Sequence, residues 1–132
     1  MLKRKYTNCI NFEHTVFLTE PYVDYLLTKH GFKLVEKQYF REDHSIFYAY
    51  VKASSEVAVN LPKGLYNHNK KLYLDYVDYH VSVIKELNKK IDNLSGEKSI
   101  YLFGAHVFAQ YLINFGLNTK KIINLLDNDT NK

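Results

Sequence analysis

The chain has 132 residues, of which 46% are hydrophobic and 24% are charged. This composition fits one ordinary folded domain or two incomplete ones, and it excludes an intrinsically disordered chain. The net charge is +4, and acidic residues separate the basic doublets, which predicts a solvated surface and no nucleic-acid partner. No stretch reaches the ~20 apolar residues that span a membrane. Cys9 is the only cysteine, so we expect a cytoplasmic protein without an internal disulfide.

Residues 1–52 have the pattern of an αββ unit. Thr19 is a suitable helix N-cap, and Glu20 and Pro21 follow it in the first turn, where acidic residues and proline are both favoured. Apolar residues then recur at helical spacing until Gly31, which predicts the end of the helix. Residues 32–40 and 45–51 are rich in aromatic and β-branched residues and flank a polar turn, which predicts an antiparallel strand pair.

Residues 53–66 are predicted to form a linker, and residues 67–94 a long helix. Apolar side chains in this helix alternate at spacings of four and three, which is the pattern of an a/d seam. The seam consists of Tyr73, Val77, His80, Ile84, Leu87, Ile91 and Leu94. Two interpretations stay open: a coiled-coil-like contact with another helix, or one helix lying across a globular core. In either case we expect His80 to be a packed or partly exposed ring and not a ligand.

Residues 95–132 begin a new unit after a polar break. A strand is predicted over 99–103, a turn at Gly104, a helix over 107–115 and a second strand over 122–126, with Asp127 at its carboxyl end. This order is that of a mononucleotide-binding βαβ unit. The unit has two strands only, so we expect strand edges and a sheet face that need cover.

Glu13 and His14 form the most distinctive pair in the sequence, because a carboxylate beside an imidazole can handle protons near neutral pH. The pair precedes the helix that Thr19 begins. His44 follows the turn between the two predicted strands. In a doubly wound sheet both features could face the crevice at the carboxyl ends of the strands, where ligands usually bind.

These segments resemble the later part of S-adenosylmethionine-dependent sugar C-methyltransferases. The resemblance rests on Glu13-His14-Thr15, on His30-Gly31-Phe32 and on His44-Ser45, and it extends to Phe103-Gly104-Ala105 and Leu126-Asp127-Asn128. It implies that residues 1–52 are the terminal αββ portion of a methyltransferase domain. It further implies that residues 67–94 are a connecting helix, and that 95–132 begin a truncated Rossmann-like domain in an α/β protein.

The resemblance implies a role for each candidate residue. His14, aided by Glu13, would remove a proton from a sugar carbon next to a keto group, and His44 would bind the substrate. The chain departs from the family pattern at Asp43-His44-Ser45-Ile46, where paired glycines are missing. It also has no glycine-rich donor-binding turn and too few Cys and His residues for a structural zinc site, so we expect neither S-adenosylmethionine nor a metal to bind this chain alone.

Three functional hypotheses follow. The first is a fragment of a methyltransferase acting on a nucleotide-linked or surface-polysaccharide sugar, which becomes active only with a complementing N-terminal half. The second is a non-catalytic assembly module that pairs, with another subunit or as a homodimer, through the long helix and exposed strand edges. The third, a nucleotide-binding module built on Gly104 and Asp127, is the weakest, because a single glycine stands where the phosphate fingerprint needs three.

Overall fold

The computed structural model describes residues 2–7, 16–54, 60–94 and 98–129. Within these residues the fold is mixed α/β, with three helices and two two-stranded sheets, which confirms the predicted fold class. The chain divides into two compact units, Met1–Tyr73 and Leu74–Lys132. The elements are α1 (Glu20–Lys29), β1 (Phe32–Arg41), β2 (Ser45–Lys52), α2 (Leu65–Asn93), β3 (Ile100–Phe103), α3 (Val107–Asn114) and β4 (Ile122–Leu126). Each predicted helix and strand is present, and its ends lie within two residues of the prediction.

Helix α1 begins and ends where its sequence signals predict. Thr19 occupies the N-cap position with extended backbone angles, although its side chain makes no capping hydrogen bond. At the other end Gly31 has a φ of +81°, a left-handed conformation that glycine adopts without steric cost. The N–H of Gly31 donates to the carbonyl oxygen of Thr28 at 3.0 Å. This bond turns the chain out of the helix and into β1.

Strands β1 and β2 form an antiparallel hairpin in which Phe32 lies opposite Lys52 and Arg41 lies opposite Ser45. The register shifts at two points in β1, between residues 34 and 36 and between residues 39 and 41. Asp43 in the connecting turn has a φ of +54°, which is tolerated better by Asp and Asn than by most other residues. The side chains of Lys37, Tyr39 and Tyr50 bond to α1, so the hairpin has one face against α1 and one facing away from it.

The hairpin face that points away from α1 is mixed in character. Phe47 and Val51 of β2 lie on this face and retain 44% and 52% of their accessible surface. Opposite them in β1 are the polar residues Gln38 and Lys33. Antiparallel sheets usually bury one face and expose a polar one, and single exposed apolar side chains among polar ones are ordinary on such a surface.

The second unit has a small core between α2 and the βαβ segment. Strands β3 and β4 pair in parallel, as predicted for this segment. Ile84 of α2 is 2% exposed and clusters with Leu112 and Leu117. Leu87 and Ile91 of the same helix pack against this cluster. The central and later turns of α2 thus lie across a globular core, which agrees with the second interpretation of the apolar seam.

The predicted seam is wrong at its ends. Tyr73 is 48% exposed and Leu94 is 39% exposed, whereas Tyr76, which the seam omitted, is fully buried. A straight α-helix drifts relative to a heptad repeat, so its buried stripe moves from position 73 to position 76. His80 is 5% exposed, and its ring lies 4.4 Å from that of Tyr76, which confirms it as a packed core ring.

None of the described helices has the length and the apolar run that crossing a membrane requires.

Candidate functional site

A cleft of about 490 Å³ lies within the first unit. Its walls come from four segments: the N-terminal residues, the start of α1, the β1–β2 turn with its flanking strand ends, and the first turns of α2. The apolar lining includes Phe17, Leu18, Pro21, Ile46 and Leu72. A volume in this range, mostly apolar walls and a few polar groups are the usual features of a small-molecule site.

The start of α1 brings an unsatisfied hydroxyl to this cleft. The Oγ1 atom of Thr19 is buried and has no hydrogen-bond partner among the described residues. Thr19 lines the cleft together with Glu20. Buried polar atoms are nearly always hydrogen-bonded in proteins, so this hydroxyl departs from the rule. Because its oxygen has almost no accessible surface, a molecule in the cleft would reach it only if the wall moved.

Helix α1 is held to the hairpin by a cluster of ionic and tyrosine side chains. The Nζ of Lys37 donates to Glu20 Oε1 at 2.7 Å and to Asp24 Oδ2 at 2.9 Å. The hydroxyl of Tyr39 donates to Glu20 at 2.7 Å, and that of Tyr50 donates to Asp24 Oδ1 at 2.5 Å. Since Glu20 and Tyr39 also line the cleft, this cluster fixes one wall of it.

The ionisation of the cluster follows from these bonds. The hydrogen bond from Lys37 lowers the pKa of Glu20. Burial would raise the pKa of Asp24, but hydrogen bonds from Tyr50 and Lys37 lower it below its ordinary value. Burial opposes the charge on Lys37, yet its two carboxylate partners raise its pKa. Burial and the bond to Asp24 raise the pKa of Tyr50 to about 12. At neutral pH the two carboxylates and the ammonium are therefore all charged.

His44, the predicted substrate-binding residue, lies in the cleft wall. Its Nδ1 is 2.5 Å from the hydroxyl oxygen of Ser45, and its ring meets that of Tyr6 edge-on at 5.3 Å. These two contacts fix the position of the imidazole ring. The Nε2 atom has no partner in the described part of the chain and is the atom that can bind a ligand.

The remaining acidic groups of the cleft are engaged within the protein. Glu42 pairs with the guanidinium of Arg4. Asp43 accepts the backbone N–H of Arg4 at 2.8 Å; burial would raise its pKa, but its hydrogen bonds lower it. Besides Thr19 and Lys3, the polar side chains of the cleft that make no internal hydrogen bond, among the described residues, are those of His68 and Asn69 in α2. Sequence reasoning missed both, and only the contact between segments far apart in the chain reveals them.

The predicted catalytic pair, Glu13 and His14, lies outside the described residues. Three positions after His14, Phe17 lines the cleft, and the lining continues through Pro21. The structure thus brings His44 and the segment that follows the predicted pair to one cavity.

The turn after β3 does not fit a site for the methyl donor S-adenosylmethionine or for a dinucleotide. Gly104 has a φ of +94°, but its N–H already donates to the carbonyl oxygen of Leu126 at 2.6 Å, so it extends the contact between β3 and β4. His106 occupies the N-cap of α3 without a side-chain cap. Asp127 follows β4 and accepts the backbone N–H of Asp129 at 2.9 Å. A phosphate cradle needs several free backbone N–H groups, and this turn has lost one of them.

In comparisons with known proteins, no family model, no curated protein and no solved structure matches the chain. Within the described ranges no group of three or more His, Cys, Asp or Glu residues is arranged to hold a metal ion.

Proposed function

We propose that the chain is part of a cytoplasmic S-adenosylmethionine-dependent methyltransferase that acts on a nucleotide-linked or surface-polysaccharide sugar. Its own contribution is acid–base chemistry: Glu13 and His14 act on the sugar, and His44 binds it. A complementing N-terminal half supplies the donor site. The turn after β3 supports this division of roles, since the N–H of its single glycine is already bonded to Leu126.

One observation carries the proposal. The segment that begins three residues after His14 and the His44 turn are far apart in the sequence, yet both line the same cleft. A segment that follows one motif of the resemblance and the turn that carries another thus meet at a cavity of small-molecule size. An accidental match of short motifs gives no reason for such a meeting.

The chemistry that this chain would perform is one proton transfer. The proton leaves the sugar carbon next to the keto group and moves to the imidazole of His14, and the electron pair of the broken C–H bond passes into the enolate. Glu13 stabilises the resulting imidazolium. An imidazole is suited to this role because its ordinary pKa lies near neutral pH.

The experiment uses the fact that proton removal does not need the methyl donor. The full chain is incubated with a nucleotide-linked keto-sugar in deuterium oxide, and deuterium uptake at the carbon next to the keto group is followed by NMR. We expect uptake above the buffer rate with the wild-type chain, and uptake at the buffer rate with His14→Asn or Glu13→Gln. His30→Asn is the control, because His30 is exposed and does not line the cleft.

Two results would contradict the proposal. One is wild-type uptake equal to the buffer rate. The other is full uptake in His14→Asn. A calorimetric titration with S-adenosylmethionine tests the second part, since tight binding by this chain alone would disprove the need for a complementing half.

A second candidate is a non-catalytic assembly module, and the open strand edges of the hairpin favour it. Among the described residues β1 and β2 form a sheet of only two strands, and Phe40 of β1 is 75% exposed. The central turns of α2 are used inside the second unit, so pairing would involve these strand edges. Sedimentation analysis distinguishes the cases: we expect Phe40→Asp to abolish association, whereas Tyr66→Asp, at an equally exposed helical position, should leave it intact. A monomer at all concentrations would exclude a homodimer.

A further inference from the structure

We propose that His68 and Asn69 of α2 are sugar-positioning residues, and that the cleft binds the uncharged glycosyl ring of the substrate and leaves its phosphates outside. This inference rests on the proposed function and adds to it two binding residues and the part of the substrate that is recognised.

The position of the two residues is the first observation. α2 begins at Leu65, and Leu65, His68, Asn69 and Leu72 all line the cleft. These four residues follow the i, i+3, i+4, i+7 spacing of one helix face. The face is apolar at both ends and polar in the middle, so the imidazole and the amide lie between two leucines.

The hydrogen-bonding state of the cleft is the second observation. Within the described part of the chain, the side chains of His68 and Asn69 make no internal hydrogen bond. His44 also lines the cleft, and its Nε2 makes no hydrogen bond with the described residues. An amide and two imidazoles each offer donors or acceptors. Sugar hydroxyl groups both donate and accept, so they can bond to all three.

The charges of the cleft decide between the sugar ring and the phosphates. Among the described residues, Lys3 is the one lysine or arginine that lines it, beside the carboxylates of Glu20, Glu42 and Asp43. Glu20 and Glu42 are paired with Lys37 and Arg4, so those two cations are already engaged. A phosphate in the cleft would therefore find a single lysine to bind it, whereas anion sites in proteins usually offer several cations or free backbone N–H groups. An uncharged ring beside Phe17 needs no such partner.

The test is an NMR titration of the isotope-labelled full chain with D-glucose, D-galactose and D-mannose and with their 1-phosphates. We expect at least one sugar to shift the amide signals of the cleft residues, with the free sugar and its phosphate agreeing in affinity within about two-fold, since the phosphate adds no contact. We expect His68→Ala and Asn69→Ala each to weaken binding by about five-fold, the effect of losing one hydrogen bond. Asn67→Ala is the matched control, because Asn67 lies in the same turn but does not line the cleft.

Three outcomes would overturn the inference: no sugar binds, binding requires the phosphate, or Asn67→Ala weakens binding as much as Asn69→Ala. Unchanged amide signals outside the cleft show that each variant is folded. If deuterium uptake occurs, Asn69→Ala should raise KM and leave kcat unchanged, as expected for a positioning residue. Sugar binding that depends on Asn69 without any deuterium uptake would support this inference and refute the proposed acid–base role. Deuterium uptake whose KM is unaltered in Asn69→Ala would support the acid–base role and refute the positioning role of Asn69.

Discussion

Replacing Lys37 with methionine should weaken the contact between α1 and the hairpin. We expect this loss to exceed the loss from removing an exposed ion pair of the first unit. Lys37 is the only cation that contacts both Glu20 and Asp24 among the described ion pairs. Methionine keeps most of the length and the apolar stem of lysine but removes the ammonium. Glu20 and Asp24 would then lie near each other with the hydroxyls of Tyr39 and Tyr50 as their remaining partners.

The size of the effect follows from the two lost bonds. The Nζ–O distances are 2.7 and 2.9 Å, and a hydrogen bond to a charged group contributes roughly 1.5–3 kcal/mol. The side chains of Lys37, Glu20 and Asp24 keep 20%, 32% and 33% of their exposure, so water still screens part of the interaction. After this discount we expect the free energy of unfolding of the first unit to fall by about 2–3 kcal/mol.

The assay is a urea titration followed by the NMR amide signals of β1 and β2, because these report on the first unit alone. Arg4→Met is the matched control: the same kind of pair, Arg4 with Glu42, has side-chain exposures of 47% and 73%, and exposed pairs contribute little. Equal losses in Lys37→Met and Arg4→Met would refute the argument from burial. So would a Lys37→Met midpoint identical to that of the wild type.

The pH dependence of the same urea titration tests the ionic cluster independently. The pKa shifts of its carboxylates fix the direction in which stability changes with pH. The pKa values of Glu20 and Asp24 are lowered in the folded protein from their ordinary values of 4.5 and 3.8. Groups with a depressed folded-state pKa stabilise fully above the ordinary value, and that stability is lost as the pH falls through the folded-state values. We therefore expect the wild-type first unit to lose stability below about pH 4.5, and Lys37→Met to show a flatter profile there. A steeper profile in the variant would contradict the assignment.

Three further predictions concern other parts of the chain. Ile84→Ala should lower the free energy of unfolding of the second unit by about 2–4 kcal/mol, measured on the amide signals of α3, whereas Ile123→Ala, at a residue that is 63% exposed, should cost less than about 0.5 kcal/mol; equal costs would place the core elsewhere. Gly104→Ala should cost about 1–2 kcal/mol from backbone strain alone, since an added Cβ meets nothing within 4 Å, and an unchanged unfolding midpoint would contradict the left-handed conformation. The hydroxyl of Tyr50 should ionise near pH 12, and an NMR resonance absent from Tyr50→Phe that titrates near pH 10 would show that its bond to Asp24 is not formed.

The sequence predicted the elements of this fold much better than their contacts. Thr19, Gly31 and Gly104 are signals that act on their own neighbours, and each one marks an element end or a turn in the structure. The bond between Lys37 and Asp24 joins residues that the sequence gives no reason to pair, and two irregularities in β1 shift the alternation that would assign its faces. Local chemistry fixes where a helix or strand begins, whereas the choice of buried face depends on partners elsewhere in the chain.

The same distinction explains why the sequence predicts only part of the candidate site. His44 is predicted because it follows the polar turn between the two predicted strands. His68 and Asn69 lie before the apolar seam, which begins at Tyr73, and their relevance comes only from the cleft that α2 shares with the start of α1. The cleft therefore depends on the position of α1, which Lys37 holds. Lys37→Met should therefore weaken sugar binding although Lys37 does not line the cleft. Sugar affinity that survives the loosening of α1 would show that the site does not depend on the wall that Glu20 and Thr19 form.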